Sequence, residues 1–397
     1  MSISNKVSQI SPSLTLGITA KVKQMQNEGI KVIGFGAGEP DFDTPLHIKE
    51  EAKRAIERGF TKYTPSSGIR ELKEAICAKF KNDNQLDFSP EEVIVSCGAK
   101  HVIFNAIFTL CDEDDEVILP SPYWLSYPEM IKLSGAKPVI VETKAENGFK
   151  ITPQQIEKVI NSKTKLFILN SPSNPTGMVY NRQELEEIAK LLVKHGIWCI
   201  SDEIYEKLIY DNVKHISIAS FGENVKKKTL VVNGVSKTYA MTGWRIGYCA
   251  GPKEIIQAMS NLQDHSTSNP ASISQIAALE ALRGSQEGLN KMVNEFRKRR
   301  DCMVEKINSL PLLKTIKPQG AFYCWVDISG ILGKSLDKKL IKSSLDFTEV
   351  LLNSAHVAVV PGGAFGDERY IRLSYATSME NIVEGLKRIK EFLEERI

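Results

Sequence analysis

Ile197-Trp198-Cys199-Ile200-Ser201-Asp202-Glu203-Ile204-Tyr205 is a mostly apolar run that ends abruptly in acids. An unbroken run of this length, without polar alternation, reads as a strand covered on both faces, as in a parallel sheet packed between helices. Similar runs surround it: Val93-Ile94-Val95, Glu116-Val117-Ile118-Leu119, Lys165-Leu166-Phe167-Ile168-Leu169, Thr229 to Val232 and Ile246 to Ala250. Helix-length amphipathic stretches separate them, so the expected fold class is α/β with a mostly parallel sheet. Several helix starts are marked. Thr152-Pro153-Gln154-Gln155 offers a Thr N-cap, Pro at the first position and Gln at the third, and Asn181 to Glu184 and Thr377 to Glu380 repeat the cap-plus-acid pattern.

From Gly288 to about Leu310 the pattern becomes a long, charged helix that includes Arg297-Lys298-Arg299-Arg300. Acids at Glu295, Asp301 and Glu305 interleave with the basic run, which therefore reads as a solvated helix face linking two lobes. Beyond it lie Gly320 to Val326, Val357 to Val360, Tyr370 to Ser374 and a final amphipathic helix from about Met379 to Glu395, a pattern of α+β character.

The 397 residues exceed what one hydrophobic core ordinarily supports, so two lobes of roughly 100–200 residues are expected. Lys plus Arg is 51 and Asp plus Glu is 48, and the resulting charge of +3 provides no bulk field for nucleic acid or an anionic membrane. The seven cysteines form no CxxC pair and favour free thiols in a reducing compartment over disulfides or zinc. Six scattered histidines without ligand spacing argue against a metal. No apolar run approaches the ~18 residues of a membrane span, and Met1 to Gln9 has no signal-peptide core, so a soluble cytoplasmic protein is expected.

Ligand sites in open α/β sheets gather at the carboxyl ends of strands, and the chemically loaded residues here follow strand ends. Ser236-Lys237-Thr238-Tyr239-Ala240-Met241-Thr242-Gly243-Trp244-Arg245 places one lysine among small and hydroxyl residues, with an arginine eight positions later. An amine nucleophile and an anion clamp serving one cofactor would have this form, because a lysine forms a Schiff base only once its ammonium can lose a proton. Gly98-Ala99-Lys100 leads into a helix whose N-terminal N–H groups suit a phosphate, although an ordinary strand-to-helix turn has the same composition. Asn170 to Gly177 is a loop stiffened by two prolines that presents Asn174. Asp202 must be paired if buried; it is either a helix cap or a carboxylate that keeps a pyridine nitrogen protonated, with Tyr205 close by. Gly34 to Asp41 has the wrong spacing for a dinucleotide fingerprint, and a backbone donor at Gly38 is the better reading.

Taken together, Gly36 to Phe42, Lys62-Tyr63-Thr64-Pro65, Gly98 to Lys100, Ser121-Pro122-Tyr123-Trp124, Asn170 to Gly177, Ser201 to Tyr205, Ser236 to Tyr248 and Arg372 to Ala376 resemble the fold-type I pyridoxal-phosphate aminotransferases of class I. The motifs run in that family's order over nearly the whole chain, and specifically resemble its bacterial aspartate aminotransferase subgroup. The resemblance implies a large domain with a seven-stranded sheet, at about residues 46–295. It also implies a smaller α+β domain made of the N-terminal segment 1–45 and residues 296–397, and a homodimer.

The resemblance also assigns roles. Lys237 is the catalytic amine, Asp202 pairs with the pyridinium nitrogen, Tyr205 and Asn174 bond the ring oxygen, and Trp124 stacks on the ring. Ser236, Arg245, Gly98, Ala99 and the Lys100 backbone hold the phosphate, and Tyr63 reaches in from a neighbouring subunit. Arg372 forks onto the substrate α-carboxylate, helped by Asn174, Trp124 and the Gly38 N–H. The distal carboxylate of a dicarboxylic substrate falls to Lys100, Ser13 and Thr15. Aspartate with 2-oxoglutarate is the expected pair, with an aromatic or prephenate aminotransferase as the alternative. A C–S lyase on the same fold is a further rival. A cofactor-sensing regulator would need a DNA-binding domain ahead of motifs that begin within the first hundred residues.

Overall fold

Alternate residues of the central apolar runs bury into opposite cores, which is why these runs lack polar positions. In the computed structural model, which describes residues 3–10 and 14–396, Ile94, Leu166, Ile168, Ile200 and Val232 pack on one face of a sheet. Val93 and Val95 on one side of the opposite face, and Phe167, Leu169 and Cys199 on the other, pack under separate helices. Each fully buried Leu, Ile or Phe contributes about 1.5–3 kcal/mol to this arrangement.

The sheet has seven strands: β1 Val93–Ser96, β2 Glu116–Ser121, β3 Lys137–Glu142, β4 Thr164–Asn170, β5 Trp198–Asp202, β6 Thr229–Gly234 and β7 Gly247–Ala250. Their order is β1-β7-β6-β5-β4-β2-β3. Strand β7 alone is antiparallel to its neighbours β1 and β6. The register levels the strand ends, with Asn170 opposite Asp202 and Asp202 opposite Val232. Gly234 pairs with Gly247, so residues 235–246 form the loop joining β6 to β7 at the edge where β4 and β5 end. Ser96 also pairs with Gly247, which brings Gly98 to this edge. A Cβ on Gly247 would overlap the Gly98–Ala99 peptide, so this close approach requires glycine.

Strand β3 escaped the sequence reading. It lies at the sheet edge, mostly exposed or half-buried and with Pro138 near its start, so it has neither a continuous apolar run nor clean alternation.

A second, four-stranded antiparallel sheet is ordered β10-β11-β9-β8, from β8 Lys314–Thr315, β9 Tyr323–Asp327, β10 Val360–Pro361 and β11 Tyr370–Ser374. The expected strand Val357 to Val360 divides: Val357–Ala358 pairs in parallel with Ile33–Gly34, whereas Val360 turns to β11. Phe35 continues this tie, accepting at its carbonyl from the Ser374 N–H at 2.8 Å.

Two further expectations are corrected. The basic run of helix Glu287–Asn308 is only partly solvated, because Arg299 and Arg300 are buried. Arg299 donates from Nη1 to both Asp41 carboxylate oxygens at 2.8 and 2.9 Å, and Arg300 pairs with Asp211 and Asp301 and donates to the Pro318 carbonyl. The final helix, Met379–Arg396, is capped by Ser378 rather than Thr377, the Ser378 hydroxyl accepting from the Asn381 N–H at 3.2 Å. The capping boxes at Thr152 and Asn181 form as expected. No helix among the described residues is long and apolar enough to cross a membrane. All seven cysteines are free, and four of them are buried.

Candidate active site

The leveled strand ends, the β6–β7 loop and strand β11 enclose a cavity of about 550 Å³. Lys237 enters it three residues after β6. Its ammonium donates to the Gly38 carbonyl at 2.5 Å, which places the Gly38 backbone beside the amine. Burial pushes the Lys237 amine down to about 8; Arg372 and Arg245 act in the same direction and Glu39 opposes them. An amine held there is in part neutral near physiological pH, as a nucleophile or proton acceptor requires.

Asp202 closes β5 and is buried. One carboxylate oxygen accepts from the Tyr127 hydroxyl at 2.6 Å and the other from the Ile204 N–H at 3.2 Å. Burial raises its carboxyl to about 6 against the pull of those bonds. Asn170, level with it on β4, donates to the Asp202 carbonyl at 3.0 Å and accepts from the Asn174 N–H at 2.8 Å, which fixes the proline-stiffened loop.

Arg372 lies on β11, 3% exposed, with its guanidinium 4.3 Å from the Tyr323 ring centroid and 4.9 Å from that of Phe365. It donates to the Asn174 side-chain carbonyl at 2.9 Å and to the Gly36 carbonyl at 3.0 Å. Both acceptors are neutral, and Nε is buried without a partner. A buried cation held in this way calls for an anionic ligand. Tyr205 does not point at solvent; its hydroxyl shares a hydrogen bond with Tyr323 at 2.8 Å.

Arg245 adopts a left-handed backbone, φ 58°, and is fixed by donating to the Thr242 carbonyl at 2.8 Å and the Cys97 carbonyl at 3.1 Å. A non-glycine residue there costs on the order of 1–3 kcal/mol, and such strain gathers at functional sites. Gly98, φ 88°, caps helix Ala99–Leu110, and a Cβ on it would run into the Arg245 guanidinium. Ser236 and Ala99 line the same corner. The Lys100 ammonium stands 5.0 Å over the Trp124 ring, and burial lowers its proton affinity.

Of the expected residues, those from Gly38 to Arg372 just described line this cavity, except Gly98, which lies behind Arg245. Tyr63 does not; it is 91% exposed, in a surface groove with Thr61 and Asn269. Ser13 lies outside the described residues, and so does the side chain of Thr15, whose backbone belongs to helix Leu14–Asn27. The same helix supplies Ile18 and Val22, which form part of the cavity wall. Sequence reasoning missed these two, together with Tyr127 and Tyr323, because each reads locally as a packing residue.

A cluster of Glu203, Glu206 and His215 brings ligand atoms within 4.8 Å of one another. Its oxygens are already engaged: Glu203 accepts from Ser201 and Ser217 and meets His215, and Glu206 pairs with Lys79 and accepts from Asn84. The Lys79 ammonium supplies the positive charge there, so the cluster is an internal ion network.

The cavity's donor set fits pyridoxal phosphate. A half-buried amine of lowered proton affinity suits its aldehyde, a buried carboxylate its pyridine nitrogen, and a helix N-terminus with an arginine its phosphate; the unpartnered Arg372 Nε suits a carboxylate beside it.

The comparisons agree. A family model described as aminotransferase class I and II matches residues 30–389. The chain is 50% identical over 391 residues to an aspartate aminotransferase of Bacillus sp. (strain YM-2), covering 98% of this chain and 99% of that protein. It is 46% identical over 396 residues to an aspartate/prephenate aminotransferase of Nitrosomonas europaea, covering 99% and 100%. The crystal structure of the aspartate aminotransferase from Rhizobium meliloti superposes over the full length of both chains with a TM-score of 0.96 at 43% identity.

Proposed function

Because the chain belongs to the class I and II aminotransferases, which are pyridoxal-phosphate enzymes, we propose that it moves the amino group of L-aspartate to 2-oxoglutarate, giving oxaloacetate and L-glutamate by a ping-pong cycle. The observation that carries this reading is the charge of the cavity: beyond Lys237 and Arg245, two further cations line it, the buried Arg372 and Lys100 over Trp124. Two carboxylates on one substrate match two cations.

When bound, pyridoxal phosphate supplies an aldehyde that condenses with amines and a ring that withdraws electrons from the substrate α-carbon. The protein does the remainder. Arg372 orients the substrate through a bidentate grip on its α-carboxylate, which a lysine cannot copy. With the cofactor bound, Asp202 would hold the proton on its ring nitrogen, Tyr205 and Asn174 would bond its ring oxygen, Trp124 would cover the ring, and Arg245, Ser236 and the Gly98-Ala99-Lys100 turn would hold the phosphate. Lys237 takes the proton from the substrate α-carbon, and Lys100 receives the distal carboxylate. Ser13 and Thr15 would share the distal carboxylate with Lys100.

The proposal extends to the assembly. A tyrosine as exposed as Tyr63 supports a homodimer in which it completes the partner's site. The unpaired cysteines support a cytoplasmic location. The proposed domain division is 1–45, 46–295 and 296–397, with the second break inside helix Glu287–Asn308.

A second reading has its own observation. Ile18, Val22, Ile103 and Leu125 give the cavity an apolar wall that would accept an aromatic or prephenate-like side chain. A panel of amino donors separates the two readings: aspartate is expected to exceed phenylalanine and alanine in kcat/KM, and parity would overturn the aspartate assignment. Lys100→Met keeps the backbone and removes only the ammonium. It is expected to lower kcat/KM for aspartate roughly 10- to 150-fold, the value of one charged hydrogen bond, and to leave phenylalanine unchanged.

A further inference from the structure

We propose that Tyr127 is a positioning residue of this reaction, its phenol holding the Asp202 carboxylate in the orientation and charge state that keep a proton on the cofactor's ring nitrogen. This rests on the reading of Asp202 as the partner of that nitrogen.

The two residues are 75 positions apart and meet only in the folded chain, both almost fully buried. Tyr127 stands at the start of helix Ser126–Ser134, and its hydroxyl reaches one carboxylate oxygen at 2.6 Å, the length of a charge-assisted bond. The same ring packs edge-on against Trp124, with centroids 5.1 Å apart at 82°. One side chain thus fixes both the carboxylate and the indole that the proposed function places on the cofactor. Burial and the adjacent Asp202 charge keep the phenol's proton affinity well above the ordinary value, so it stays a donor throughout the working range.

The groups facing Asp202 pull in both directions, and burial prevails. Burial favours the neutral acid, and so does the charge of neighbouring Glu203; the Tyr127 bond is the strongest influence the other way, ahead of the Ile204 N–H and Lys237. Tyr205 lies in the same field. Removing the phenol oxygen leaves a lone pair of a dry carboxylate unsatisfied and raises its proton affinity. A proton shared between the ring nitrogen and the carboxylate then moves toward the carboxylate, and the ring loses its positive charge.

The test uses holoenzyme reconstituted with ¹⁵N-labelled pyridoxal phosphate, following the ring-nitrogen chemical shift against pH in the native protein, Tyr127→Phe and Asp202→Asn. The native nitrogen is expected to be protonated, Asp202→Asn unprotonated, and Tyr127→Phe displaced toward Asp202→Asn at every pH. Its kcat is expected to fall about tenfold, as for a one-unit change in proton affinity, with KM for aspartate held within about twofold. A Tyr127→Phe nitrogen that titrates like the native one overturns the inference, even if the melting temperature drops, because the role is then structural. A native-like nitrogen in Asp202→Asn would instead overturn the reading of Asp202 itself.

Discussion

Lys237→Ala is expected to lower kcat by on the order of 10⁴-fold, because it removes the only amine among the described residues that combines burial in this cavity with an affinity for protons lowered to about 8. Lys100 also lines the cavity, but its ammonium is held over Trp124, so it cannot substitute. The variant should still bind cofactor through Arg245 and the helix N-terminus while losing the visible absorbance of the lysine-linked form. In the native protein stripped of cofactor, the rate of pyridoxal phosphate capture should rise with pH through about 8, since only the neutral amine reacts. An unchanged spectrum or a flat pH profile would assign the chemistry to another residue.

Arg372→Leu is expected to lower kcat/KM for aspartate by about 2–5 kcal/mol, roughly 30- to 5,000-fold, the range for losing one partner of a buried, hydrogen-bonded charge pair. Arg372→Lys should recover little, because the fork onto a carboxylate needs two parallel donors. Stability offers a second readout. In the ligand-free chain the guanidinium is buried against two rings and two neutral carbonyl acceptors, and burial lowers its proton affinity. Removing it should therefore not lower the melting temperature of the cofactor-free protein. A large loss of stability with little change in kcat/KM would make Arg372 a structural cation.

The central strands were legible because burial on both faces leaves an unbroken apolar run, as in β4 and β5. The edge strand β3 was not, since exposure and Pro138 erase that signal. Lys237, Asp202 and Asn174 could be picked out because the chain places them at or just past strand ends, where an α/β sheet puts its ligands. Arg372 and Trp124 stood out only through the family resemblance, being an arginine inside a strand and an aromatic in a loop. Pairings across the fold left no local trace: Tyr127 with Asp202, Tyr323 with Tyr205, and the acids Asp41 and Asp211 that draw Arg299 and Arg300 inward from an apparently solvated helix face.

In the proposed cycle one cavity binds aspartate through two cations and passes its amino group to the cofactor before any acceptor arrives. Holoenzyme mixed with excess aspartate and no 2-oxo acid tests this directly by the oxaloacetate released. One equivalent per chain, followed by arrest until 2-oxoglutarate is added, is the predicted result. No release, or release that continues past one equivalent without an acceptor, would contradict it.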